Sequence, residues 1–171
     1  FCVLGSGVAG STIARLLSSK YSVQVFDKAR GSGGRSSNKK LKKNLSFDHG
    51  VQYISPKSKE FINFSKKLLK KKVFKNWDGN HLDFTFEKKT NSMRYIGTKG
   101  NNAISRYQLK NIKQSFTSQI IRIERKKNFW IITLKDKSKY QFKSLILTCP
   151  FPQLKKLAKK YLDKKISSLK V

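Results

Sequence analysis

The chain is short of acid. Nine Asp and Glu stand against 39 Lys and Arg in 171 residues, for a formal net charge of +30. It is also short of cysteine. Cys2 and Cys149 lie far apart, form no Cys-x-x-Cys pair and have no zinc-ligand neighbours, which excludes a zinc site. Both fall in apolar runs that read as buried strands, as small reduced core residues of a cytosolic protein do. Long apolar runs are missing too: none approaches the ~18 residues of a membrane span. Phe1 opens a short apolar run that leads straight into glycines, with neither a cationic leader nor a cleavage pattern, so no signal peptide is expected. An initiator Met is absent, so the true N-terminus is expected to lie upstream. What remains is enough for a core. Hydrophobic residues make up 37% and aromatic residues 12%, which excludes a disordered basic tail. The length suits one domain or pieces of two.

The basic excess has two readings. Lys supplies 32 of the 39 cations and Arg only 7, beside 13 Ile, 12 Phe, 10 Asn and 5 Ala. Lys, Ile, Phe and Asn have A/T-rich codons, so coding bias with solvated lysines accounts for much of the pattern. The alternative is a site for a polyanion. The lysine runs lack the interleaved aromatics of a single-strand binding groove, and no specific nucleic acid is expected as a partner.

Along the chain, Phe1 to Leu4 reads as a central strand. Gly5-Ser6-Gly7-Val8-Ala9-Gly10 follows, then a helix to about Ser19 with Ile13, Leu16 and Leu17 at helical spacing. Tyr21 to Phe26 reads as a second strand that stops at Asp27. Strand, glycine turn, helix, strand and acid make the opening βαβ unit of a dinucleotide-binding fold. Gly31 to Arg35 is a glycine-rich turn, and Phe47 to Ile54 reads as short strand and turn. Helices are expected over Glu60 to Leu69 and Ala103 to Leu109, with a strand ending at Tyr95-Ile96-Gly97. Gln119 to Glu124, Asn128 to Leu134 and Tyr140 to Phe142 form a meander with a turn at Lys135 to Lys139. Leu145 to Thr148 reads as a buried strand, stopped by Pro150 and Pro152, before a lysine-rich helix from about Gln153 carrying Leu154, Leu157 and Leu162.

Three motifs carry chemistry. In Gly5-x-Gly7-x-x-Gly10 the first glycine permits a tight turn, the second lets a pyrophosphate approach the backbone, and the third lets helix and strand pack closely. The helix start offers unpaired N–H groups and the positive end of a dipole. Asp27, at the end of the second strand, can accept from both hydroxyls of an adenosine ribose and would repel a 2′-phosphate, which disfavours NADP. The rival reading is a tight turn with no ligand. In the second motif, Arg30 to Ser37, the Gly33-Gly34-Arg35 turn brings amides and a guanidinium to the same crevice, where Arg35 can fork onto phosphate oxygens. Its rival is a plain surface loop, but an NAD-only domain has no need of this second turn. The third is Asp48-His49-Gly50-Val51-Gln52-Tyr53. His49 invites a general-base reading, although a lone His is more often structural. Gly50 suggests close approach to something flat, bordered by Gln52 and Tyr53. His81 sits in a polar loop with no visible partner.

Together, Gly5 to Gly10, Asp27-Lys28, Gly33-Gly34-Arg35 and Asp48 to Tyr53 resemble the FAD-dependent renalase-like oxidoreductases, within the amine-oxidase-like flavoprotein superfamily. Arg94 to Gly97 followed by Gly100, then Ile120, Trp130 to Leu134 and Leu145 to Gln153, extend the resemblance along almost the whole chain. It implies an α/β Rossmann-type FAD/NAD(P)-binding domain with a β-meander and the beginning of an inserted α+β substrate domain. Residues 1–54 and 111–150 would form the FAD-binding part, 55–110 the substrate-side insertion, and 151–171 the start of an absent C-terminal half. Gly5, Gly7, Ala9 and Gly10 would line the pyrophosphate of FAD, and Asp27 would hold the ribose. Gly34 and Arg35 would meet the phosphates or ribityl chain. Gln52 and Tyr53 would lie on the flavin side, and the Ile120 main chain would clamp adenine.

The implied activity is hydride transfer from a reduced organic substrate, such as a dihydronicotinamide or an amine, to flavin and then to molecular oxygen. No acid/base residue and no metal are assigned, because the chemistry belongs to the cofactor. The expected compartment is the cytoplasm. Members of the family are nearly twice this long and return to the FAD domain with a glycine- and acid-containing motif, which does not follow Gln153. The chain is therefore expected to be part of a longer polypeptide or a truncated product. The alternatives to an FAD enzyme are an inactive remnant, an NAD-binding domain without flavin, or a basic polyanion-binding module on the same scaffold.

Overall fold

The computed structural model describes residues 1–42, 45–78 and 93–163. His81 lies outside them.

A four-stranded parallel sheet carries the molecule. Strand β1 (Cys2–Leu4) lies between β2 (Gln24–Phe26) and the strand Leu145–Leu147, and β2 is flanked on its far side by Lys113–Ser115. In chain order the last two are β7 and β11, and Val3 sits opposite both Val25 and Ile146. Successive side chains alternate between the faces. Cys2 and Phe26 point to one core cluster, Val3 and Val25 to another, so both faces are covered, as parallel sheets require.

On the Val3 face lie α1 (Val8–Leu17) and the chain after α3 (Ala103–Gln108), which contributes Leu109 and Ile112. The Arg15 side chain ties α1 to the Lys110 carbonyl. Ile13 and Leu17 of the expected apolar stripe pack here, but Leu16 is 65% exposed. The buried row of α1 runs instead through Gly10, Ser11 and Ala14.

On the Phe26 face lies an antiparallel meander of β8 (Ile120–Lys126), β9 (Phe129–Leu134) and β10 (Lys139–Phe142). Ile120, Ile123, Ile132 and Leu134 point inward, and the Phe26 ring meets Tyr140 and Phe142 at 5.3 and 5.9 Å. Helix α4 (Phe151–Ala158) closes this layer with Leu154, Leu157 and Ala158.

A third cluster joins α2 (Lys59–Lys70) to α3 and to the hairpin of β5 (Phe74–Asn76) and β6 (Tyr95–Gly97). Ser58 caps α2 by accepting from the Phe61 amide, with Glu60 in the first turn and Lys67 and Lys70 in the last, each complementing the helix dipole. The remaining ribbon pairs β3 (Asn38–Lys42) with β4 (Leu45–Asp48).

Four expectations shift. Strand β2 starts at Gln24 rather than Tyr21, because the Tyr21 amide is spent on the helix exit, bonding to Leu17, and β1 offers no partner before Cys2. Strand β11 is half-buried rather than buried, since it is the edge of the described sheet. Cys149 falls in the bend after β11, half-buried, instead of inside a strand. Helix α4 begins at Phe151, with Pro150 as its cap and Pro152 in the first turn, where a missing N–H costs nothing. No helix among the described residues is long and apolar enough to cross a membrane.

Candidate dinucleotide-binding site

The first glycine turn links β1 to α1. The Gly5 amide donates to the Phe26 carbonyl (2.8 Å), and its φ of +105° is a glycine conformation. Gly10 is needed for closeness: a Cβ there would stand 2.0 Å from the Gly5 oxygen and 2.7 Å from Thr148 Oγ1. Thr148, just past β11, donates to the Leu4 carbonyl (2.8 Å) and seals the crossing from the other side. Helix α1 starts at Gly7 with no side-chain cap and no acid in its first turn. Val8 and Ala9 are exposed there. This leaves an uncompensated positive helix end beside the exposed Val8 and Ala9.

The second glycine turn lies on the first. The Gly33 amide donates to the Ser6 carbonyl (3.1 Å), Gly7 and Gly33 form a parallel bridge, and a Cβ on Gly34 would approach Gly7 Cα to 3.1 Å. Gly33 and Gly34 both have positive φ, so the turn folds back onto Gly7 where other residues would be strained. Asn102 holds it from behind, donating to the Ser32 carbonyl. Arg35 is exposed, and its guanidinium has no partner among the described residues.

Asp27 stands beyond β2, half-buried. Its Oδ2 accepts from both the amide (2.7 Å) and the hydroxyl (2.5 Å) of Ser6, and its Oδ1 accepts from the Ala29 amide (2.9 Å). The adjoining backbone is tied to the approach to β8: Ser118 donates to the Asp27 carbonyl and Thr117 to that of Ala29. Thr117, Ser118 and Gln119, with Leu134 to Asp136 opposite, line an open pocket of about 270 Å³. Ile120 begins β8 directly after it, with its side chain turned into the core.

Gln52 and Tyr53 are exposed on a segment joined to the second turn through Val51, whose amide donates to the Arg35 carbonyl (3.1 Å). Gly50 makes a close approach to the protein itself: a Cβ there would lie 2.0 Å from the Arg35 oxygen, so its lack of a side chain makes room for the Arg35 backbone. His49 is exposed and within hydrogen-bond distance of Ser37 Oγ (3.1 Å), a structural setting. The Tyr53 ring stacks on Trp77 at 5.1 Å, with the Arg94 guanidinium 4.6 Å from its centroid.

The fold thus draws Gly5, Gly7, Ala9, Gly10, Asp27, Gly34 and Arg35 to one edge, at the carboxyl ends of β1 and β2. Ile120 joins through the Thr117-Ser118 contact, and Gln52 and Tyr53 through Val51. Sequence reasoning passed over three partners. Ser6 is fully buried between the motif glycines, and Thr148 plugs their crossing. Asn101, also fully buried, donates its side-chain amide to the Val51 and Gln52 carbonyls, accepts from the Gly97 amide and gives its own amide to Asp48. For Ser6 and Asn101 the only sequence signal was a small hydroxyl or amide beside a glycine, and Thr148 carries none.

Residues 3–68 match the family model of an NAD(P)-binding Rossmann-like domain. The fold is Rossmann-like. A solved structure with a similar fold is tetracycline destructase Tet(51), at 14% identity and a TM-score of 0.60. The match covers 96% of this chain, which spans 41% of the destructase's length. The described residues fit a dinucleotide. A pyrophosphate needs a bare backbone, an uncapped helix start and a free cation, and Gly7, α1 and Arg35 supply these.

Proposed function

We propose that the chain is the dinucleotide-binding part of an FAD-dependent oxidoreductase of the renalase-like kind. One observation carries this reading: the second glycine turn lies against the first, which sets Arg35 beside the uncapped start of α1. A domain that only holds NAD has no need of that second turn. The fold shared with tetracycline destructase Tet(51) is compatible with it.

In this reading the amides after Gly7 and the Arg35 guanidinium hold the pyrophosphate, with Gly5, Ala9 and Gly10 keeping the backbone close. Asp27 fixes the adenosine ribose. The main chain at Ile120 borders adenine, in the pocket next to Thr117 and Ser118. Gln52 and Tyr53 stand on the flavin side, steadied by Asn101. A bound flavin would supply hydride acceptance from a dihydronicotinamide or an amine, with oxygen as the final acceptor. The chain's own residues bind and orient, and none of them is assigned a proton transfer.

The test is a titration of the purified chain with FAD, followed by flavin fluorescence at physiological salt, against Asp27→Ala. Nonspecific attraction to a chain of +30 predicts that removing an acid strengthens binding. The proposed site predicts the reverse, a loss of about tenfold or more. The reading fails if FAD does not bind, if Asp27→Ala binds equally well, or if NAD competes on equal terms.

A further inference from the structure

A carboxylate offers about four lone-pair sites, two on each oxygen. At Asp27, three are already filled by the protein: Oδ2 by the Ser6 amide and hydroxyl, and Oδ1 by the Ala29 amide. Ser6 has no exposed surface, so a ligand reaches neither its hydroxyl nor the side of Oδ2 that faces it. One site remains, on Oδ1. A ribose presents two neighbouring hydroxyls, and a carboxylate that takes both needs a free site on each oxygen. That arrangement is closed here as long as the Ser6 hydroxyl keeps its bond.

We propose that Ser6 is a positioning and specificity residue that locks Asp27 as an acceptor for one ribose hydroxyl rather than two. The inference rests on the dinucleotide reading of the site but not on flavin, because FAD and NAD share the adenosine ribose. The hydroxyl bond at 2.5 Å also fixes the carboxylate rotamer before any ligand arrives, and this removes an ordering cost on binding. The Ser6 carbonyl accepts from the Gly33 amide, so the same residue spans the acid and both glycine turns.

The experiment uses four probes on the 171-residue chain: FAD, NAD, and the dinucleotide that binds better remade with a 2′-deoxy or a 3′-deoxy adenosine ribose. In the unsubstituted chain, one deoxy analogue should weaken binding by about tenfold or more and the other by less than about twofold. In Ser6→Ala, the carboxylate loses the hydroxyl that fixes its rotamer and can turn a free Oδ2 site outward, so both analogues should weaken binding. A residue that merely supported the fold would lower affinity for all four probes alike and leave that pattern unchanged. If both analogues, or neither, weaken binding to the unsubstituted chain, the lock is wrong, and this arm needs no variant to fold. If neither FAD nor NAD binds, the site reading itself has failed, an outcome distinct from a dinucleotide held by both hydroxyls.

Discussion

Replacing Gly10 with Ala sets two effects against each other. Inside a helix, Ala is favoured over Gly by about 0.8–1 kcal/mol. At Gly10, however, the added methyl would stand 2.0 Å from the Gly5 oxygen and 2.7 Å from Thr148 Oγ1. The nearer contact is backbone, so no rotamer relieves it, and α1 must lift from β1 by roughly 1 Å. Overpacking of this kind costs about 1–3 kcal/mol, and loss of the Thr148 bond to the Leu4 carbonyl adds about 1. After the gain in helix propensity, the net destabilisation is about 1–3 kcal/mol, or roughly 2–12 °C in Tm for a chain of this size. Urea and thermal unfolding followed by circular dichroism measure it. Gly31→Ala is the control: nothing lies within 4 Å of a Cβ there, so it should be neutral or gain up to about 1 kcal/mol. Combining Gly10→Ala with Thr148→Ala should not restore stability, because the Gly5 carbonyl remains the closer obstacle. A Gly10→Ala chain as stable as the parent would refute the close crossing.

Three further outcomes follow from the same geometry. Arg35→Ala should weaken dinucleotide binding about tenfold with the unfolding midpoint unchanged, and Arg35→Lys should recover only part of it, since a point charge lacks the planar fork. Gly50→Ala should push Val51 from the Arg35 carbonyl, destabilise by about 1–3 kcal/mol and speed hydrogen exchange at the Val51 amide. Burial pushes the Cys2 thiol from 9.0 up to about 12, so native Cys2 should resist alkylation at pH 8. Above pH 9 the unfolded thiol ionises while the folded one stays protonated. Stability therefore falls as pH rises from 9 towards 12, by up to about 1.4 kcal/mol per pH unit, and Cys2→Ala should flatten that decline.

Elements with a clear period were legible from sequence. Helix α2 has Phe61, Phe64, Leu68 and Leu69 in register with a Ser58 cap, and Ile132 and Leu134 alternate along β9, whereas a register shift between Ile120 and Arg122 breaks the period of β8. The errors arose where a distant partner decides. The extent of β2 depends on where β1 begins, and the exposure of β11 depends on its place at the edge of the sheet among the described residues. Leu16 fits the spacing of a buried stripe, yet the Gly10 contact rolls the buried face of α1 toward Ser11 and Ala14. In the site, both glycine turns could be seen singly, but not that Gly34 lies on Gly7, since the bridge forms in three dimensions. The crowding of Gly50 was hidden for the same reason, because its neighbour, the Arg35 carbonyl, carries no sequence signal.

The scarcity of acid bears on the site more than the excess of lysine does. Coding bias can fill a surface with lysines, but it does not choose where the remaining acids stand. With nine acids in 171 residues, roughly one position in nineteen is acidic, so an acid at the end of β2 is a low-odds coincidence. Asp27, Asp48 and Asp136 each accept from a backbone amide, that of Ala29, Asn101 and Ser138 respectively. These acids therefore act as anchors for turns, and two of them flank the glycine crevice. Asp48 steadies Asn101, which holds the Gln52 carbonyl. Asp27 takes the Ser6 hydroxyl as well as two amides and still keeps one acceptor site open. A carboxylate kept only to anchor a turn needs no open site beside the glycine turns. In a chain this basic, that unfilled acceptor beside the uncapped helix and Arg35 fits a ligand with phosphates at one end and a hydroxyl donor at the other. An adenosine dinucleotide has both, whereas a simple polyanion uses only the cations.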